Sequence, residues 1–204
     1  MKYKSTAIVY FFIFVITASC SDNNARFSKL PANATILAFG DSLTKGNGAA
    51  LSQSYPSRLQ QLTRLRVINA GISGEISEHG LNRLASLLEK HRPQLVIICH
   101  GGNDILRHLR LEKTKTNITE MIRLARSYHA QVLLMAVPKP SLLVKPADFY
   151  ADIAESTRVG FDNWTFAEVL KNNALKSDSY HPNAAGYAVI ADAIFQLLSQ
   201  QGAI

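Results

Sequence analysis

The stretch TILAFGDSLT, residues 35–44, joins an apolar run to a tight glycine turn. Residues 35–39 are mainly apolar or β-branched, which is typical of a strand buried on both faces of a sheet. The Gly40-Asp41-Ser42 turn then places a serine hydroxyl just beyond the carboxyl end of that strand. Glycine in such a turn allows a close approach of the backbone, so we expect Ser42 to stand exposed at the top of the sheet.

Apolar runs of the same kind recur along the chain. The further predicted strands are residues 66–69, 94–99, 132–137 and, more weakly, 158–161. The segments between them have helical periodicity. Two of these segments carry the apolar stripes Leu81, Leu84, Ala85, Leu88 and Ile118, Met121, Ile122, Ala125. The alternation of strand and helix predicts a three-layer α/β fold, in which helices cover both faces of one parallel sheet.

The last predicted helix has a clear beginning. Asn183 is a typical N-cap residue, and Pro182 before it keeps His181 extended. The helix then presents one apolar face made of Tyr187, Ile190, Ala191, Ile194, Leu197 and Leu198. This face is interpreted as part of the core and not as a cofactor site.

Composition limits the classes of function. The chain has 204 residues, of which 47% are hydrophobic and 18% charged, so one globular domain is expected from residue 34 onward. The net charge of +7 is spread along the chain, and it suits either an anionic surface such as phospholipid headgroups or an ordinary solvated face. No basic run with interleaved aromatic residues predicts nucleic-acid binding, and no cluster has the ligand spacing of a metal site. We expect no cofactor and a monomer.

The N-terminal residues resemble an export signal. Residues 1–4 are basic, residues 8–16 form an apolar run, and Thr17-Ala18-Ser19-Cys20 follows. The position of Cys20 resembles the lipobox of bacterial lipoproteins, in which that cysteine is acylated, although Thr17 departs from the usual Leu. Ordinary cleavage near Ser19 and an uncleaved anchor are the alternatives. Residues 21–33 are predicted to be a linker, and the resemblance implies an exported protein of the cell envelope, sorted to the outer membrane.

The remaining cysteine and histidines divide into structural and chemical candidates. Cys99 closes an apolar run and is interpreted as a free buried thiol. Of the six histidines, His79, His91, His108 and His129 are interpreted as surface residues. His181 differs because Asp178 precedes it by three residues and could orient its imidazole to accept the proton of Ser42. Ser42, His181 and Asp178 are therefore a candidate catalytic triad.

Several motifs together resemble one known family. Gly-Asp-Ser-Leu begins at Gly40, a glycine turn contains Gly74, Gly-Gly-Asn-Asp ends at Asp104, and Asp-x-x-His-Pro begins at Asp178. In this order they resemble the SGNH, or GDSL, hydrolases, over about residues 34–200. The resemblance implies a flavodoxin-like sheet of five parallel strands. It also implies that Ser42 is the nucleophile, that His181 is the base, and that the Ser42 N–H, the Gly74 N–H and the Asn103 amide hold the oxyanion.

Some positions depart from that family pattern. Glu75 stands where an Asp is usual, Tyr180 where an aliphatic residue is usual, and His100 where an apolar residue is usual. His100 is interpreted as a hydrogen-bonded histidine at a strand end, with a role in pH sensing or substrate contact as the alternative. Asp41 and Asp104 are expected to satisfy backbone donors in their turns.

The stretch after the fourth predicted strand bears on the substrate. Leu142, Leu143 and Val144 lie between prolines, and they are predicted either to line an acyl groove or simply to cover the sheet edge. We expect a serine esterase for aryl, short or medium acyl, thioester or lysophospholipid substrates. The alternatives are a carbohydrate or peptidoglycan O-acetylesterase and a non-catalytic binding lipoprotein.

Overall fold

The computed structural model describes residues 27–139 and 144–204. The predicted signal peptide with Cys20, and the predicted groove residues Leu142 and Leu143, lie outside the described residues.

A parallel sheet forms the centre of the molecule, and it confirms the predicted fold class. Its five strands stand in the order β2-β1-β3-β4-β7. They are β1 (Thr35–Gly40), β2 (Arg66–Gly71), β3 (Leu95–Cys99), β4 (Gln131–Met135) and β7 (Gly160–Asp162). Every neighbouring pair is parallel. A separate antiparallel pair is formed by β5 (Pro138–Lys139) and β6 (Lys145–Pro146).

Helices follow each strand of the main sheet. They are α1 (Ser42–Lys45), α2 (Tyr55–Thr63), α3 (Ser77–His91), α4 (Gly102–Leu106), α5 (Leu111–Ser127), α6 (Phe149–Thr157), α7 (Thr165–Lys171) and α8 (Ala184–Gln200). Short 3₁₀ turns occupy Leu51–Gln53 and Asn173–Leu175. Helix α8 packs on α2 and α7, and helix α5 packs on α3 and α6, which gives one helical layer on each face of the sheet. In the described part of the chain, no helix has both the length and the apolar character needed to cross a membrane.

The core lies between the sheet and these two layers. Every residue of β1 and of β3 is buried, as expected for central strands of a parallel sheet. The stripe on α5 is fully buried, and α8 buries the predicted face except Leu197, which is partly exposed. The Asn183 side chain accepts a hydrogen bond from the Gly186 N–H at 3.0 Å, so the predicted N-cap is present.

Two boundaries differ from the sequence prediction for identifiable reasons. Strand β7 begins at Gly160 because Arg158 ends α6 in the left-handed region, with φ of 51°. The residues from 27 onward, predicted as linker, pack against the domain because Phe27 and Leu30 are apolar and buried. Their N–H groups donate to the carbonyl oxygens of Gln201 and Ala203 at 3.1 and 2.8 Å, so the packed domain includes this segment.

Candidate active site

Ser42 is the first residue of α1, directly beyond the carboxyl end of β1. The Asp41 carboxylate accepts a hydrogen bond from the Leu43 N–H at 3.0 Å and so caps the helix, the structural role expected for it. Gly40 is needed because a side chain there would collide with the Cys99 carbonyl and with Thr44. Burial raises the pKa of Asp41. The nearby His100 and His181 act to lower this pKa but do not outweigh the effect of burial. The turn that carries Ser42 is therefore fixed by packing and by a buried carboxylate.

His181 lies in the loop that precedes α8, at the same edge of the sheet. Asp178 Oδ1 accepts hydrogen bonds from the N–H groups of Tyr180 and His181 at 2.7 and 2.9 Å. The Ser177 N–H donates to the His181 carbonyl at 2.9 Å and closes the loop. These bonds hold the Asp178 carboxylate and the His181 imidazole in a fixed relative orientation within a segment of four residues.

The three candidate triad residues meet in the structure. Ser42 Oγ lies 3.0 Å from His181 Nε2, and His181 Nδ1 lies 2.8 Å from Asp178 Oδ2. A carboxylate can only accept, so Nδ1 carries the hydrogen and Nε2 is free to accept from the serine hydroxyl. Partial burial acts to raise the pKa of Asp178, but the Tyr180 N–H and the His181 side chain outweigh it, and the pKa is lowered. The arrangement can therefore take a proton from Ser42.

The three backbone and side-chain donors assigned to the oxyanion line the same cleft as the triad. Gly74 adopts φ of 75°, in the left-handed region that favours glycine. Among the described residues, none accepts a hydrogen bond from the N–H of Ser42 or of Gly74. Arg107 fixes the other side of the glycine peptide by donating to the Gly74 carbonyl at 2.7 Å.

The Asn103 amide is held by two internal acceptors. Its Nδ2 lies 3.1 Å from the Glu75 carbonyl oxygen and 3.2 Å from Asp41 Oδ2. An amide nitrogen carries only two hydrogens, and here both point toward protein acceptors. Donation to a substrate therefore requires that Asn103 share or release one of these bonds.

The cleft beside the triad has a volume of about 600 Å³, within the usual range for small-molecule sites. Its walls are largely apolar and include Leu43, Leu106, Val137, Pro138, Val144 and Leu170. Val144 is thus one member of the predicted groove that the structure places on the cleft, half-buried. Leu106, Val137 and Leu170 were not predicted, because nothing in their local sequence distinguishes cleft walls from core.

The other predicted residues take structural positions. His79, His108 and His129 are exposed and His91 is partly exposed, so none of them lies in the cleft. Asp104 is buried and accepts from the N–H and the hydroxyl of Ser77 at 2.8 and 2.6 Å. It therefore binds the start of α3, 27 residues away in the chain, and the expectation that it satisfies backbone donors in its own turn is wrong. In the described part of the chain, no group of acidic, histidine and cysteine side chains could hold a metal ion.

A charged cluster, formed by Glu75, Arg83 and His100, lies behind the glycine turn; Glu75 and His100 are buried, and Arg83 is partly exposed. Arg83 donates to the Glu75 carboxylate at 2.7 Å from Nε and 2.5 Å from a terminal nitrogen. His100 Nε2 lies 3.1 Å from the same carboxylate. Burial acts to raise the pKa of Glu75, but the hydrogen bonds and charges of His100 and Arg83 outweigh it and lower the pKa to about 2. The sequence indicates Glu75 and His100 as departures from the family pattern, but it does not predict that the two side chains are in contact.

Comparisons with known proteins agree on one family. Residues 38–189 match the model of the GDSL-like lipase/acylhydrolase family. The chain is 31% identical to the thioesterase 1/protease 1/lysophospholipase L1 of Escherichia coli K12, over 78% of this chain and 80% of that protein. It is 32% identical to the arylesterase of Vibrio mimicus, over 82% of this chain and 89% of that protein.

A solved structure supports the same relationship. The psychrotrophic esterase EstA of Pseudoalteromonas sp. superposes with a TM-score of 0.75 at 28% identity, and the match covers 82% of this chain and 98% of that one. The chain therefore belongs to the GDSL-like lipase/acylhydrolase family, as the motifs predicted. It is a carboxylic ester hydrolase of the GDSL type.

The charged cluster makes the stability of the fold depend on pH. The pKa of Glu75 is lowered on folding, so its stabilisation is present above its ordinary pKa of 4.5 and is lost as pH falls toward 2. We predict that Glu75→Gln is less stable than the parent at pH 7, and that the difference in free energy of unfolding shrinks by about 2 kcal/mol between pH 7 and pH 3. Urea unfolding of both proteins between pH 7 and pH 3 measures it. The difference in free energy of unfolding between the parent and Glu75→Gln should become smaller below pH 4.5.

The exposed Glu89→Gln variant is the matched control, because it makes the same chemical change on the outer face of α3. A difference for Glu75→Gln that stayed constant across this pH range would contradict the lowered pKa of Glu75.

Proposed function

We propose that the protein hydrolyses carboxylic esters through a serine nucleophile and an acyl-enzyme intermediate. The observation that carries the proposal is the chain of two hydrogen bonds from Ser42 to His181 and from His181 to Asp178, at 3.0 and 2.8 Å. Nucleophile, base and orienting acid stand in the order that serine catalysis requires. A protein that only bound ligands would have no physical need for this arrangement beside oxyanion donors.

In the first half of the reaction, Ser42 Oγ attacks the carbonyl carbon of the ester while His181 Nε2 takes the hydroxyl proton. The carbonyl oxygen becomes an oxyanion and accepts hydrogen bonds from the Ser42 and Gly74 N–H groups and the Asn103 amide. Each such preorganised donor is worth about 10²–10³ in rate. The C–O bond to the leaving group then breaks, and His181 returns the proton to the departing alcohol or thiol.

In the second half, a water molecule replaces the leaving group. His181 takes a proton from the water as its oxygen attacks the acyl carbon, and the same donors hold the second oxyanion. The bond to Ser42 breaks, His181 returns the proton to Ser42 Oγ, and the carboxylic acid leaves. Asp178 keeps its negative charge throughout and stabilises the imidazolium in both halves.

The cleft favours substrates with an apolar acyl or aryl group. Its walls include Leu106, Val144 and Leu170, whose side chains can cover the hydrocarbon part of an ester. Lys139 also lines the cleft, and its ammonium is paired with the Asp148 carboxylate at 2.7 Å. The names of the relatives, which include thioesterase, lysophospholipase and arylesterase, support aryl, short or medium acyl, thioester and lysophospholipid substrates.

Replacement of the nucleophile gives the first test. We predict that Ser42→Ala lowers kcat/KM on p-nitrophenyl butyrate by at least about 10³-fold, because Ser42 is the cleft hydroxyl that lies within hydrogen-bond distance of His181 Nε2, at 3.0 Å. Steady-state hydrolysis by a protein beginning at residue 21 measures it. Ser179→Ala, which removes a second hydroxyl lining the cleft, should stay within about threefold of the parent.

Retention of esterase activity in Ser42→Ala would contradict the serine mechanism. A folded parent protein that cleaved no ester at all would favour the binding lipoprotein instead.

The apolar walls give a second test, on chain length. We predict that the double variant Leu106→Ser and Val144→Ser loses about tenfold in kcat/KM on p-nitrophenyl octanoate, because each buried methylene contributes about 0.8 kcal/mol. The loss on p-nitrophenyl acetate should stay below about threefold, because its acyl chain has about six fewer carbons to pack against these walls. Equal losses on both esters would contradict the acyl groove. A parent enzyme with strict acetyl preference would favour the carbohydrate O-acetylesterase.

We also propose that the protein is exported and anchored in the outer membrane by acylation of Cys20. The basic, apolar and small-residue regions of residues 1–20, with Cys20 after the small residues, support this. A lipid chain at Cys20 would hold the esterase beside envelope lipids.

The anchor is tested by Cys20→Ser, expressed with the full chain in a Gram-negative cell. We predict that the parent fractionates with membranes and incorporates labelled palmitate, and that the variant does neither. Cys99→Ser is the matched control and should keep both properties. A Cys20→Ser protein that remained labelled and membrane-bound would contradict the lipoprotein assignment.

A further inference from the structure

The charged cluster of Glu75, Arg83 and His100 has no part in the proton transfers described above, yet it adjoins two of the oxyanion donors. We propose that Glu75, clamped by Arg83 and His100, is a positioning residue that holds the Gly74 N–H and the Asn103 amide in place. This inference rests on the proposed serine mechanism and concerns the same site.

The backbone of Glu75 connects the two donors. Glu75 directly follows Gly74, so any movement of its peptide moves the Gly74 donor as well. Its carbonyl oxygen accepts the hydrogen bond from Asn103 Nδ2 at 3.1 Å, and its N–H donates to the Ile72 carbonyl at 3.3 Å. One residue therefore sets the position of a backbone donor and the orientation of a side-chain donor.

The side chain of Glu75 keeps that backbone in place. Its carboxylate is only 6% exposed and is bound by Arg83 on one side and His100 on the other. Arg83 in turn donates to the carbonyl oxygen of Ala70 at 2.9 Å and to that of Gly40 at 3.3 Å, at the ends of β2 and β1. The cluster thus joins the glycine turn to the two strands beside it. If the Glu75 carboxylate moved away, it and the Arg83 guanidinium would each lose an ion-pair partner, and this would destabilise the fold.

The surroundings of His100 indicate that the hydrogen-bond donor at Nε2 is needed beside Glu75. The His100 ring is fully buried, and it packs so closely on α3 that any side chain at Gly80 would collide with Nε2. The His100 backbone carbonyl accepts a hydrogen bond from the Tyr150 hydroxyl at 2.6 Å. Nε2 carries the hydrogen donated to Glu75, whereas Nδ1 has no hydrogen-bond partner in the described residues. An apolar side chain could fill the space without burying that unpaired nitrogen, so packing alone does not account for a histidine here.

The positioning of Asn103 has a direct chemical consequence. With one amide hydrogen anchored on the Glu75 carbonyl, the other, now 3.2 Å from Asp41 Oδ2, is the one that can turn to an oxyanion. Loss of the anchor frees the amide to rotate about its side-chain bonds. The Asn103 amide would then have to be ordered before it could donate to the oxyanion. This lowers kcat more than it weakens substrate binding.

The test is a double-mutant cycle on p-nitrophenyl butyrate that combines His100→Leu with Asn103→Ala. We expect His100→Leu to lower kcat about 10- to 50-fold with KM within about threefold, because a transition-state interaction is lost. His100→Gln, which keeps a donor near the position of Nε2, should recover most of kcat. In the Asn103→Ala background, His100→Leu should cost at least about threefold less than it does in the parent, because one of the two donors that the cluster positions is already absent and only the Gly74 N–H can still be displaced. His91→Leu, at the opposite end of α3, is the matched control and should leave kcat unchanged.

Several outcomes would overturn the proposal. They are an unchanged kcat in His100→Leu, a loss that is fully additive with Asn103→Ala, and a loss in His100→Gln as large as in His100→Leu. If His100→Leu does not fold, Glu75→Gln takes its place in the cycle, because a neutral amide binds Arg83 and His100 less tightly than the carboxylate does. An unchanged kcat, or a loss that is fully additive with Asn103→Ala, then overturns the proposal. Full activity in Ser42→Ala or in Asn103→Ala would instead contradict the proposed mechanism itself, so the two failures are distinguishable.

Discussion

The hydrogen bond of 3.0 Å between Ser42 and His181 joins residues 139 positions apart in the chain. It can form only if the end of β1 and the start of α8 meet at one edge of the sheet. Parallel strands joined by right-handed crossovers bring all their carboxyl ends to that edge, so the topology itself assembles the site. The fully buried strands β1 and β3 then serve as the rigid support that the short turns require.

Local hydrogen bonds determine the geometry within that edge. Asp41 caps the turn of Ser42, and Asp178 binds two backbone N–H groups of the loop that carries His181. In both turns a carboxylate near the reacting group satisfies the backbone, and Asp178 also orients the imidazole. These short-range contacts depend on residue type and spacing, which is why Asp41, Asp178 and His181 could be assigned from the sequence. The five strands could be assigned because each is a short apolar run between turn residues.

The contacts that sequence reasoning missed are long-range and have no periodic signal. Glu75 and His100 each drew notice as departures from a family pattern, but only the fold brings them within 3.1 Å of each other. Arg83 lies on an ordinary amphipathic helix, where an arginine is typically interpreted as a surface residue. Phe27 was assigned to a linker because the polar residues around it dominate the composition, whereas the structure buries it against the sheet. Such pairings depend on tertiary packing, which overrides local pattern.

The central claim is that His181 and Asp178 activate Ser42, and reaction with an organophosphate ester tests it most directly. Diethyl p-nitrophenyl phosphate should transfer one diethylphosphoryl group to the protein with release of p-nitrophenolate. Peptide mass spectrometry should place that group on Ser42, and the rate of p-nitrophenolate release should fall by at least about 10²-fold in His181→Ala. Modification of a different residue, or an undiminished rate in His181→Ala, would contradict the account.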